Sequence, residues 1–206
     1  MYRLLKRITG ILLPLFVRLE VIGREHFPAQ GPYILTTNHV SAYDTPILFV
    51  VCPHTIRALA ASKHRKNPFF APFLTIAGSV WVRRGEVDRQ ALAGAIRVLQ
   101  QGEVLGMAPE GTRARGTYAL QQGKTGAAYL ATRVNVPILP VGISGSEHIK
   151  HNIRRLRRTD VRIVIGEPFR LPESGPVRGP RLDEYTELIM RRIAALLPEE
   201  YRGVYA

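Results

Sequence analysis

Residues 33–46 read Tyr33-Ile34-Leu35-Thr36-Thr37-Asn38-His39-Val40-Ser41-Ala42-Tyr43-Asp44-Thr45-Pro46. The first five are apolar or β-branched and predict a strand. Pro46 suits a first helical turn, so a helix is expected from there to Cys52. A strand that turns directly into a helix is the unit of an α/β sheet, and the same alternation recurs outward along the chain. Further strands are predicted at Ile56–Ala61, Ser79–Val82, Val104–Met107, Pro137–Ile143 and Val161–Ile165. Helical patterns lie between them near Pro68–Ala77, Asp88–Gln101 and Thr125–Arg133, and a last helix is predicted over roughly Leu182–Leu197. The segment 168–180, rich in Pro and Gly, reads as a surface loop. The expectation is one α/β domain with a largely parallel mixed sheet flanked by helices.

Composition fits that reading. The chain has 206 residues, 46% of them hydrophobic, which suffices for a buried core and excludes a disordered polymer. The lone cysteine, Cys52, excludes an internal disulfide and a cysteine-built zinc site. Twenty-nine basic against 16 acidic side chains give a net charge of +13, which favours a polyanionic partner: anionic lipid, a phosphorylated substrate or nucleic acid. A spanning helix needs about 20 apolar residues. The longest mostly apolar, charge-free stretch, Asn67–Val82, is shorter and broken by Pro68, Pro72 and Gly78. No transmembrane span is expected.

Residues 1–22 are expected to form an amphipathic helix ahead of a domain over 23–206. Leu4, Leu5, Ile8, Ile11, Leu12, Leu15, Phe16 and Leu19 recur at helical spacing, accompanied by Arg3, Lys6, Arg7 and Arg18. Such a helix lies in a membrane interface, apolar side chains among acyl chains and cations near headgroups. Ordinary packing on the domain would produce the same stripe, and a cleaved signal peptide lacks its small-residue cleavage site. Pro14 should kink the helix or mark its weak point.

Chemistry concentrates where strands end. A turn between His39 and Asp44 can bring a carboxylate to the imidazole Nδ1, which leaves Nε2 free to accept a proton from an alcohol. The plainer alternative makes Asp44 a helix cap and His39 a satisfied polar residue. Ala108-Pro109-Glu110-Gly111-Thr112-Arg113 follows a strand and would present Glu110 and Arg113 at the sheet's edge, Arg113 offering a fork for phosphate oxygens. Gly78-Ser79-Val80-Trp81-Val82-Arg83-Arg84 ends a strand in paired cations.

Two patterns imitate other sites. Gly123-Lys124-Thr125 resembles the end of a phosphate-binding loop, but Tyr118 stands where its first glycine belongs. Gly142-Ile143-Ser144-Gly145-Ser146 resembles a nucleophile elbow, with Ser146 in place of the final glycine and no second His–acid pair for Ser144.

In order and spacing, N-H-x-x-x-x-D at 38–44, G-x-x-x-x-x-R at 78–84, P-E-G-T-R at 109–113 and V-P-I-x-P-V at 136–141 together resemble the lysophospholipid acyltransferase family, whose best-known members are the 1-acylglycerol-3-phosphate O-acyltransferases. Lys124-Thr125-Gly126-Ala127 also looks like the family's following segment, while Trp81, Ala108 and Ala114 depart from its usual residues. The resemblance implies that His39 is the catalytic base and Asp44 its orienting partner. It implies that Arg84, Glu110, Gly111, Thr112, Arg113 and Lys124 bind the acceptor, with Arg84 and Arg113 on its phosphate, and that Pro137 helps shape an apolar wall. The implied reaction moves an acyl group from acyl-coenzyme A or acyl-carrier protein to a lysophospholipid hydroxyl, giving phosphatidate in phospholipid synthesis. It needs neither metal nor cofactor, and it places the protein as a monotopic enzyme on the cytoplasmic membrane face. A different lysolipid or glycerol-phosphate acceptor is the nearest alternative.

From another class comes a basic binding protein. Lys150, Arg154, Arg155, Arg157, Arg158 and Arg162 form a dense cationic cluster. No nucleic-acid-binding motif accompanies it, so anionic headgroups or an acidic acyl donor are the expected partners and nucleic acid is not.

Overall fold

Strand β2 (Tyr33–Thr37) is buried along its whole length, as a strand covered on both faces must be. Its side chains alternate between two cores. Ile34 packs in one cluster with Ala95, Leu99, Leu130, Ile189 and Ile193, whereas Tyr33 and Leu35 pack in the other with Ile47, Leu48, Phe49 and Ile149. Each fully buried aliphatic side chain is worth roughly 1.5–3 kcal/mol, so the two clusters hold helices against both faces of the sheet.

The computed structural model of the chain describes residues 1–68, 70–83, 85, 88–114 and 116–206. The other strands are β1 (Val17–Ile22), β3 (Ile56–Ala61), β4 (Val80–Val82), β5 (Val104–Met107), β6 (Ile138–Ser144) and β7 (Thr159–Ile165). The helices are α1 (Tyr2–Phe16), α2 (Asp44–Val51), α3 (Phe70–Ile76), α4 (Arg89–Gln100), α5 (Gly126–Val134), α6 (Ile149–Ile153) and α7 (Pro180–Ala194). Sheet order is β1-β7-β6-β2-β5-β3-β4. Every neighbouring pair is parallel except β6 and β7, so β1 and β7 run opposite to the other five. This is the expected single α/β domain with a mostly parallel sheet. In such sheets the loops after the strands converge at their carboxyl edge, and here those are the loops after β2 and β5.

The N-terminus departs from expectation. The helix stops at Phe16 rather than continuing to residue 22, and Val17–Ile22 is a strand paired in register with β7, from Val17↔Thr159 to Ile22↔Val164. Val17, Leu19 and Val21 alternate with Arg18 and Glu20, a period-2 pattern, and the unpaired edge of β7 supplies hydrogen bonds that a longer helix could not. Leu19 fits both periods, so the helical stripe in the sequence extends past the end of the helix. Pro14 removes one N–H from the last turn, and the helix ends two residues later.

Helix α1 has two faces. Tyr2, Leu5 and Leu13 pack on the second cluster, the Tyr2 ring lies 4.7 Å from that of Phe49, and the Tyr2 hydroxyl accepts the Ile56 N–H at 2.8 Å. The opposite stripe remains in solvent: Leu4 is 62% exposed, Ile11 72% and Leu15 63%. Among the described residues, no helix is long and apolar enough to cross a membrane.

Candidate active site

The turn from β2 into α2 folds around one carboxylate. Asp44 is 2% exposed. Its Oδ2 accepts the Val40 and Ser41 N–H groups at 3.0 and 2.8 Å, and it accepts from His39 Nδ1 at 2.8 Å. The five-residue spacing, too long for neighbours on a helix, is closed by that turn. With Nδ1–H donated to Asp44, Nε2 is the free, proton-accepting nitrogen. The imidazole is partly buried, 19% exposed, and lines a cavity of about 870 Å³.

Sequence reasoning missed one partner. Ser146, fully buried just after β6, donates its hydroxyl to Asp44 Oδ1 at 2.5 Å. Gly145, with φ +86, makes the turn possible, because a Cβ there would sit 2.3 Å from the Asp160 carbonyl oxygen. The seeming nucleophile elbow thus contributes a positioning hydroxyl, while Ser144 lies on a separate depression with Arg18 and Arg162. A hydrogen bond to a carboxylate is worth about 1.5–3 kcal/mol. Ser146→Ala should therefore lower kcat about tenfold at unchanged KM, and Ser146→Thr should restore it. A steady-state comparison of the three proteins checks this.

Glu110 follows β5 and is also 2% exposed. Its Oε1 accepts the His39 backbone N–H at 2.9 Å and its Oε2 the Gln121 N–H at 3.1 Å. Ala114 N–H in turn donates to the His39 carbonyl at 2.9 Å. The 109–114 segment therefore clamps the main chain of the base, and Glu110 itself does not line the cavity.

Burial, with some repulsion from Asp44, pushes the Glu110 carboxyl up from 4.5 to about 7, although its two N–H donors pull the other way. For a carboxyl raised on folding, the linked stability is fully present below pH 4.5 and is lost as pH rises through 7. At about 1.4 kcal/mol per unit, up to about 3 kcal/mol is involved. Urea unfolding at acidic and mildly alkaline pH should show the wild type losing more stability across that interval than Glu110→Gln. Equal slopes would contradict it.

The remaining expected residues divide. Gly111 and Lys124 line the cavity beside His39. Gly111 has φ +68, and a Cβ on it would lie 3.0 Å from Lys124 Cδ, so the lysine stem packs directly over it. Thr112 is exposed and Arg113 half-buried on the same loop, neither on the cavity wall. Arg84 lies outside the described residues. Pro137 does not join the site: it precedes β6 at the sheet's opposite edge, where its carbonyl accepts the Ile34 N–H at 2.9 Å. Its ring serves the strand entry and not the apolar wall. That wall is instead built by Leu59, Leu92, Ile96, Met107 and Leu130. Exposed Arg83, Arg89 and Lys124 mark where the cavity opens. Among the described residues, no three His, Cys, Asp or Glu side chains gather to hold a metal ion.

A partly buried base facing a largely apolar cavity with cations at its opening can deprotonate a hydroxyl on an amphipathic, anionic molecule. Comparison with known proteins gives the same direction. A family model described as Acyltransferase matches residues 18–144. The chain is 25% identical over 198 residues to the 1-acyl-sn-glycerol-3-phosphate acyltransferase of Bacillus subtilis (strain 168), covering 95% of this chain and 96% of that one. It is 27% identical over 199 residues to the Escherichia coli (strain K12) protein of the same name, covering 93% and 79%. The crystal structure of the 1-acyl-sn-glycerophosphate (LPA) acyltransferase PlsC from Thermotoga maritima matches with a TM-score of 0.72 at 25% identity, over 95% of this chain and 78% of that one.

Proposed function

This chain belongs to the acyltransferase family, and on that premise we propose that it acylates the free hydroxyl of 1-acylglycerol-3-phosphate from an acyl thioester, giving phosphatidate for phospholipid synthesis. The observation that carries the reading is the His39–Asp44 pair, 2.8 Å apart, opening onto a cavity that is apolar within and cationic at its opening.

His39 Nε2 takes the proton as the acceptor oxygen attacks the thioester carbonyl. The C–O bond forms, the tetrahedral intermediate collapses, and the C–S bond breaks. The thiolate of coenzyme A or carrier protein then recovers the proton from the imidazolium. Asp44 stabilises that imidazolium throughout, and no acyl-enzyme forms. Lys124 and Arg83 hold the acceptor phosphate at the opening, the family resemblance assigns Arg84 and Arg113 to that phosphate as well, and Gly111 and Thr112 shape the loop. Glu110 acts by holding the His39 main chain. The apolar wall takes an acyl chain. The exposed stripe of α1, with Arg3 and Arg7 beside it, rests on an anionic bilayer and makes the enzyme monotopic, on the cytoplasmic face.

An acceptor series tests this. Lysophosphatidate should be acylated best, monoacylglycerol poorly for want of a phosphate, and glycerol 3-phosphate poorly for want of a chain. Preference for either truncated acceptor would overturn the assignment.

A further inference from the structure

Helix α6 ends on a residue that local geometry disfavours. Arg157 N–H donates to the Asn152 carbonyl at 2.9 Å and Leu156 N–H to that of Ile153 at 3.1 Å, which leaves Leu156 left-handed at φ 52. Glycine fills this position in such a helix-ending turn at least cost. Here it carries a leucine that is 97% exposed. Asn152 Nδ2 bonds Thr159 Oγ1 at 3.0 Å, so the turn is fixed. Arg154, Arg155 and Arg157 surround the tip with Lys150 nearby, all exposed, and among the described residues no carboxylate pairs with any of them.

The turn's place in the fold gives it a role. It leads into β7, whose first residue Thr159 pairs with Val17. Arg158 Nη2 donates to the Val17 carbonyl at 3.2 Å, where α1 has just ended in exposed Leu15 and Phe16. Because β7 is antiparallel to β6, with Ser144 opposite Arg162, its start lies at the sheet edge where β2 and β5 end. The leucine tip, the exposed end of α1 and the His39–Asp44 turn therefore share one edge.

We propose that the 154–157 turn is a second bilayer contact, with Leu156 among acyl chains and the three arginines on lipid phosphates, which seats the active-site edge against an anionic membrane. It rests on the reading of α1 as the first contact. Lipid phosphates match the arginines, and the acyl chains beneath them match the leucine at the tip.

The test is cosedimentation of the full chain with phosphatidylcholine vesicles, with and without roughly one-third phosphatidylglycerol. Leu156→Gly should bind the anionic vesicles about tenfold more weakly while its Tm is no lower, since glycine suits the turn. Arg154→Gln/Arg155→Gln/Arg157→Gln should lose about 100-fold on anionic vesicles and little on neutral ones, at roughly fivefold per cation. Leu4→Ser/Ile11→Ser probes α1 separately. Loss in that variant with wild-type binding in both turn variants overturns the turn as a contact and leaves the α1 reading intact. A wild type that ignores vesicles overturns both. Undiminished vesicle binding in the triple variant, with a raised KM for acyl-carrier protein but not acyl-coenzyme A, would reassign the surface to an acidic protein.

Discussion

Replacing His39 with Ala should lower kcat by at least about 10³-fold, near the upper range for general-base catalysis, and leave acceptor KM close to wild type. The ring alone offers Nε2 to the hydroxyl, and among the described residues no second imidazole lines the cavity. The fold should survive, because the links to Glu110 and Ala114 run through the His39 main-chain N–H and carbonyl, which alanine keeps. Asp44 keeps three of its four donors. Steady-state kinetics with a thermal melt separates the two effects: a fall in kcat with Tm within a few degrees is expected. A raised KM at unchanged kcat would make His39 a binding residue.

Asp44→Asn should cost about 10³-fold in kcat, for a reason set by its neighbours. The Val40 and Ser41 N–H groups meet the oxygen that also meets His39, so they force the amide carbonyl to that side, and the amide nitrogen faces Ser146, whose hydroxyl can turn to accept. The tautomer is thereby kept. What is lost is the negative charge that stabilises the imidazolium. Asp44→Ala should be as inactive and also less stable, because it strands two backbone N–H groups and a hydroxyl in a buried site, at about 1–3 kcal/mol each. Urea denaturation of both variants beside their kinetics checks this. An Asn variant retaining more than a tenth of wild-type turnover would mean that the carboxylate charge does not serve the chemistry.

Much of this was legible in the chain because sheet and site are written in short, local patterns. Strands β2, β3 and β5 fall at the residues their apolar runs predict, and the His39–Asp44 pair needs only the turn between them. What escaped depends on distant pairing. Nothing within residues 17–22 announces that β7 lacks a partner on one side, so a stripe compatible with two periods favours the longer one in the sequence. Ser146 reaches Asp44 from 102 positions away, and only the closeness of β6 and β2 joins them. Its one signal was a serine where an elbow would have glycine. Glu110 was recognisable as special, yet its target is a main-chain N–H, which carries no sequence signature. Pro137 misled because its motif marks a strand's entrance, and the site gathers at the opposite end.

The whole mechanism rests on direct transfer from thioester to lipid hydroxyl, and mass spectrometry of the reaction products tests it most directly. Purified protein incubated with lysophosphatidate and an acyl thioester should yield phosphatidate and free thiol in equal amounts, with no acylated protein, and the same incubation with His39→Ala should yield neither. Free fatty acid as the main product, an acyl group retained on the chain, or phosphatidate formed at the wild-type rate without that imidazole would contradict it.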